Sequence, residues 1–271
     1  MANDTYFVAA SSDKLTLLSG DFTTTVKVSL EIWETETGPN GIAWDSVDVW
    51  AMGRVDRKGM QWSGQMTSTL KQSIDISVID INTYGLNVDD ADTMFCGDQA
   101  NYLHWASGKF TTTIKDSIYI QSVEYYPTDI THDGTDTMWC GQQHAILWRH
   151  SGRFTSTTRS SLDVSAIEVI PHGITWDGRD TMITGDYDEK LYKFSGQFTS
   201  TMKTSIYVGS IDTAPRGMDT SEFMARSVGL NISDGVVTLP LMSALGYTGA
   251  LVDLTIPILS VVAQSNQHGA T

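Results

Sequence analysis

Apolar and polar residues alternate in short runs along this chain, and the runs repeat. From Phe110 the sequence FTTTIKDSIYI sets Phe110, Thr112, Ile114, Ile118 and Ile120 on one face of an extended segment, and Thr111, Thr113, Lys115, Ser117 and Tyr119 on the other. A period of two is the mark of a half-buried strand. An earlier copy holds Phe22, Thr24, Val26, Leu30 and Ile32 in the same columns, and no copy sustains helical spacing. Ser-Gly precedes each run, at Ser19-Gly20, Ser63-Gly64, Ser107-Gly108, Ser151-Gly152 and Ser195-Gly196, always 44 residues apart. Glycine suits a tight hairpin there because it accepts a positive φ.

A fixed period of this length means one supersecondary unit stacked on copies of itself, each needing neighbours to bury its apolar face. Within residues 92–135 the unit reads as four short strands: DTMFCG, NYLHWASG, the alternating run, and a segment from Val123 through Pro127 to Ile130, closed by Asp133-Gly134. Four strands in about 44 residues is a propeller blade. The register begins at Asp4, which aligns with Asp48, Asp92, Asp136 and Asp180, and the fifth copy runs out near Thr220. The expected fold is therefore all-β, a five-bladed β-propeller over residues 1–220, followed by a separate C-terminal segment, 221–271.

Charge narrows the partners. The net charge of −15 argues against nucleic acid, which needs clustered Lys and Arg, and against an anionic membrane surface. The N-terminal stretch MANDTYFVAASSDK has no basic region leading into an apolar core, so no secretory signal is expected. Cys96 and Cys140 share one column of adjacent blades, as buried small residues do; a disulfide between them is the lesser reading. The stretch from Gly235 to Ala263 is apolar apart from Asp253, but Pro240, Gly246, Gly249 and Pro257 break it, so a membrane span is not expected. It either packs beneath its own propeller or serves as an assembly segment, with Leu239, Leu241, Leu245, Leu251, Leu254, Ile256, Ile258 and Leu259 as the contact residues.

Charged columns run through the ring. Lys27, Lys71, Lys115, Arg159 and Lys203 recur in step, as do three acidic columns: Glu36, Asp80, Glu124, Glu168 and Asp212; Asp45, Asp89, Asp133 and Asp177; and Asp4 with its equivalents. Such Asp residues accept backbone N–H bonds in turns, and one cation per blade pairs with an acid across strands. Calcium is the other reading of closely spaced carboxylates, with Asp89-Asp90-Ala91-Asp92 as the nearest approach to a ligand loop. The six histidines show no metal spacing, and no cofactor or metal is expected.

Catalytic signatures are weak. THDGTDTMW and TWDGRDTM resemble the Asp box of sialidase propellers with the glycine one place early, but in that family the box is a structural turn, and no arginine cluster follows here. No nucleophile elbow, P-loop or Rossmann glycine set is present. Near-identical blades multiply binding sites, whereas an active site breaks symmetry, so the expectation is a non-enzyme. Ligand candidates come from columns that vary between blades. Trp105, Trp148, Arg149 and Tyr192 lie in the second strand, and Tyr125 and Tyr126 in the loop before Pro127. Aromatic rings beside polar groups stack on sugars. Packing between blades is the competing reading for Trp148 and Tyr192.

The five-copy architecture resembles the tachylectin-2-type lectins. The phrases SGQFTSTMKTSIYV and ITWDGRDTM resemble the tandem-repeat propeller segments of bacteriophage virion and tail proteins over residues 1–220. That resemblance implies a virion structural protein made in the host cytoplasm, a tail, fibre or decoration component. Its propeller would face solvent and meet a host-surface glycan, and its C-terminal segment would join other virion proteins or its own copies. A soluble multivalent lectin is the alternative, and a glycan-processing propeller enzyme the third.

Overall fold

The computed structural model of the chain describes residues 4–20, 22–32, 38–80, 82–88, 92–97, 101–109, 111–220, 231–233 and 236–238. The chain divides into two compact units, Met1–Ser227 and Val228–Thr271. The first is a five-bladed β-propeller.

Three strands open the chain: β1 (Thr5–Ala9), β2 (Lys14–Leu18) and β3 (Val26–Glu31). Four complete antiparallel meanders follow. They are β4 (Pro39–Trp44), β5 (Val49–Gly53), β6 (Lys58–Trp62) and β7 (Leu70–Asp75); β8 (Thr83–Val88), β9 (Thr93–Gly97), β10 (Tyr102–Ala106) and β11 (Ile114–Tyr119); β12 (Pro127–His132), β13 (Thr137–Gly141), β14 (Ile146–His150) and β15 (Thr158–Asp163); β16 (Pro171–Trp176), β17 (Thr181–Gly185), β18 (Lys190–Phe194) and β19 (Met202–Tyr207). The last strand, β20 (Pro215–Thr220), returns to pair with β1, with Thr5 opposite Thr220 and Tyr6 opposite Asp219. Blade 1 is thus β20-β1-β2-β3, built from both ends of the ring, and closure leaves no blade short of its inner strand.

β4, β8, β12, β16 and β20 pack against one another around the axis, while β3, β7, β11, β15 and β19 form the exposed rim. Apolar side chains fill the gaps between blades. Among the described residues, one buried cluster spans each of the five blade contacts. Tyr6, Leu15 and Leu17 of blade 1, for instance, meet Ile42, Val49 and Trp62 of blade 2. Both cysteines, Cys96 and Cys140, are buried in these layers.

The outer strand departs from its sequence pattern. It begins at Ile114, not Phe110, because the residues after Ser-Gly fold into a turn. Ser107 N donates to Thr113 O (2.7 Å), and the Thr111 hydroxyl donates back to Ser107 O (2.6 Å). The apolar residues equivalent to Phe110, namely Phe22, Met66, Phe154 and Phe198, adopt a left-handed backbone with φ of 54 to 58°. Phe22, Met66 and Phe154 are buried as plugs between blades. Gly64, two residues before Met66 in the same turn, has φ 71°.

The second unit contributes one described hairpin, β21 (Asn231–Ser233) with β22 (Val236–Thr238). Leu239, Leu241, Leu245, Leu251, Leu254, Ile256, Ile258 and Leu259, the expected assembly contacts, lie outside the described residues.

Candidate functional site on the loop face

An antiparallel meander sends its connections alternately to two ends of the ring. One end carries the turns between the first and second strands and between the third and fourth. There the repeated polar columns are consumed. Asp48, Asp92, Asp136 and Asp180 each accept from the N–H of the Gly in the Ser-Gly turn (2.7–2.9 Å) and from the repeated cation, Lys71, Lys115, Arg159 or Lys203. Burial works to raise the Asp48 carboxyl pKa; Lys71 and the Gly64 N–H overcome it, and the net direction is down. Asp45, Asp133 and Asp177 accept the N–H groups of Asp48, Asp136 and Asp180 as Asx turns. Among the described residues no group of three or more His, Cys, Asp or Glu is placed to hold a metal.

The other end carries the loops between blades and those between second and third strands. Here the acidic column Glu124 and Asp212 ties one blade's entry loop to the next turn: Glu124 accepts from Gln143 N (3.0 Å), and Asp212 from the Ser11 hydroxyl (2.6 Å). The second residues of the five inner strands differ in every blade: Asn40, Tyr84, Thr128, His172 and Arg216. A polar chain runs through three of them, His172, Arg216 and Asn40. Gln142 N donates to Tyr126 O (3.1 Å), and the Gln142 side chain lies 3.1 Å from His172 Nε2. His172 Nε2 lies 3.2 Å from Asp186 Oδ2, Arg216 approaches the same carboxylate at 4.0 Å, and Arg216 Nη1 donates to Asn40 Oδ1 (2.6 Å). The chain therefore links four blades, from the Tyr125-Tyr126 loop through the Asp186-Tyr187 loop to Asn40.

Electrostatics separate the members. Burial lowers the His172 pKa, Asp186 opposes this and Arg216 adds to it, so the ring is neutral at pH 7. Burial works to raise Asp186; His172 and Arg216 overcome it and keep it a carboxylate. Glu168, in the neighbouring loop, is raised by burial and by Asp188 and Asp186, against the Ile170 N–H. Tyr187 stands 78% exposed beside Asp186, with Tyr126 at 46% and Tyr125 at 37%. Exposed aromatic rings flanking buried-edge polar groups form a surface suited to a sugar ring, by stacking and directional hydrogen bonds.

Of the residues expected from the sequence, Tyr125 and Tyr126 lie on this face. The other four lie within the blades. Trp105 packs on Phe154 with Lys115 and Arg153 over its ring at 4.8 and 5.4 Å. Trp148 stacks on Trp139 at 5.8 Å. Arg149 pairs with Asp133 (3.0 Å) and Asp136 (2.8 Å), and buried Tyr192 donates to Asp188 (2.8 Å). Their column varies in residue type while its duty stays structural: Gln61 and Lys193, equivalent to Arg149, donate to Asp48 and Asp177. Asp186, Tyr187 and Arg216 were missed. The available signal was a tyrosine inside the acidic turn DYDE, where other blades have Ser11, Val55 and Gln143.

No family model and no curated protein matches the sequence. Solved structures do match in fold. A chain of the nidogen/laminin complex aligns with 80% of this chain and 98% of its own length, at a TM-score of 0.54 and 12% identity. A streptogramin B lyase covers 79% of this chain and 68% of its own (TM-score 0.47, 17% identity), and virginiamycin B lyase from Staphylococcus aureus covers 78% and 69% (TM-score 0.46, 16% identity). The likeness to the nidogen/laminin chain shows the β-propeller fold and nothing narrower. Among the described residues no helix is long and apolar enough to cross a membrane.

Proposed function

We propose that this chain is a non-enzymatic recognition protein, a structural component of a bacteriophage particle, whose loop face binds a host-surface glycan. The observation that carries the binding role is the continuous polar chain Tyr126–Gln142–His172–Asp186–Arg216, flanked by exposed Tyr125 and Tyr187. The phage setting is supported by the phrasing of the repeats. Spent acids support the non-catalytic role: the turn-face carboxylates are held by N–H groups and cations, and His172 is 2% exposed, a strut of the patch. The site is single rather than fivefold, since it uses residues that differ in every blade.

Binding is tested by titrating the full chain with purified bacterial surface polysaccharides, beside Tyr187→Ser and Arg216→Gln. At least tenfold weaker binding in both variants is the expected result; unchanged binding would remove the site. The C-terminal segment is assigned to assembly with its own copies or other virion proteins. Light scattering of the full chain against one ending at Thr220, where the ring is already closed by β20 on β1, tests this. An oligomer that becomes a monomer on truncation is expected; two monomers would contradict it.

A further inference from the structure

The ring's axis is crowded by backbone. The third residue of each inner strand is glycine in four blades, Gly41, Gly85, Gly173 and Gly217, and aspartate in the fifth, Asp129. Each inner strand is irregular beside this position, with a shifted register at Pro39/Gly41, Thr83/Leu86, Pro127/Asp129 and Pro171/Gly173, and at Phe7/Val8 opposite Gly217. A bulge takes a backbone N–H out of its ladder and re-aims it. Here the freed N–H groups meet at one point. Asp129 Oδ1 accepts from Leu86 N (3.1 Å) and Ile130 N (2.9 Å), and Oδ2 from Ile174 N (2.9 Å) and Met218 N (3.4 Å).

Those four donors occupy one repeat column in four blades, and the carboxyl group they surround is fully buried; burial raises its pKa well above the usual carboxylate range, against the N–H groups of Ile174, Ile130 and Met218. Converging N–H groups in a dry interior form an anion hole. Both oxygens face donors, so the occupant the geometry fits is an anion rather than an amide or a hydroxyl. We propose that the axis of this propeller is an anion-binding site which the chain fills with its own Asp129 carboxylate, and which accepts a small monovalent anion when that carboxylate is removed.

The test is Asp129→Gly in the full chain, which restores the residue of the other four blades. Sodium formate, the excised carboxylate as a free ion, is the probe, with the native protein in the same salt as reference. For one site the unfolding constant of the variant falls about tenfold for each tenfold rise in formate above its dissociation constant, while the native protein shows no such slope. Chloride is expected to act in the same sense. A variant that folds with the same salt response as the native protein overturns the proposal. If the variant does not fold in any salt, the native protein decides: scalar couplings across hydrogen bonds from the Asp129 carboxyl carbon to the amide nitrogens of Ile130 and Ile174 support the site, and their absence overturns it.

Discussion

The two ends of this ring are built from the same repeat and have diverged in opposite ways. On the turn face each blade solves the same problem with the same residues: an Asp, the N–H of Ser-Gly, and a Lys or Arg. Even the variable residue after Ser-Gly keeps one duty, reaching back to the preceding blade, as Gln65 does to the Tyr6 hydroxyl (2.6 Å) and Lys109 to Asp45 (3.0 Å). On the loop face Asn40, Tyr84, Thr128, His172 and Arg216 share a column without sharing a role. Uniform positions hold the ring together; the blade-specific column is buried at Asn40, Tyr84, Thr128 and His172, and the proposed recognition falls to the exposed Tyr125, Tyr126 and Tyr187 around it. The axis combines both, with four glycines that permit closure and one aspartate that completes it.

The largest expected effect concerns the closing strand. Asp219 is fully buried, and burial pushes its carboxyl up to about 7 against the N–H groups of Trp44 and Thr220 and the Thr175 hydroxyl. A folded-state pKa above the unfolded value means that the native state holds the proton more tightly. Its contribution to stability therefore falls as pH rises from about 4 to about 7, by about 4 kcal/mol at most, and is flat above. Denaturant unfolding of Asp219→Asn is expected to lose that slope. The turn-face carboxylates act in the opposite sense: Asp48, Asp92, Asp136 and Asp180, with pKa values depressed, contribute stability that is lost as pH falls below the ordinary carboxylate range.

Gly85→Ala comes next. Its new Cβ would fall 2.1 Å from Asp129 Cα, so the inner strands must part, at a cost of about 3 kcal/mol measured by urea unfolding. Asp92→Ala strips a buried acceptor from Gly108 N–H and Lys115, and is expected to cost about 2 kcal/mol; most of that belongs to the N–H, because Lys115 is partly solvated. Tyr187→Ser is the smallest in stability, under about 0.5 kcal/mol, yet it should weaken glycan binding at least tenfold. A loss of stability comparable with Asp92→Ala would make Tyr187 a scaffold residue and erase the contrast between faces.

Much of the ring was legible because its reasons are local and repeated. The 44-residue spacing, the Ser-Gly turns and the acid and cation columns all follow from backbone rules that each blade obeys separately. Phe110 was misleading since alternation ran on through it, whereas its equivalents at Phe22 and Phe154 turn to a left-handed backbone and plug a blade contact. The columns of Trp148 and Arg149 vary because different side chains can fill or pair within one gap, a variation that sequence alone does not separate from recognition. Asp129 was visible as the exception among the phrases PNGIAW, TYGLNV, PTDITH, PHGITW and PRGMDT. Its meaning needed the axis, where four blades that are distant in sequence come within hydrogen-bond reach of one carboxylate.

The central claim, that the uniform face builds and the non-uniform face binds, is tested most directly by one comparison. Binding of bacterial surface polysaccharide is measured by calorimetry for the native chain, for Tyr125→Ser/Tyr126→Ser/Tyr187→Ser on the loop face, and for Val47→Ser on an exposed turn of the opposite face. Loss of binding in the first variant with full binding in the second is the predicted result. Binding that survives the loop-face variant, or no binding to any polysaccharide by the native chain, would contradict it.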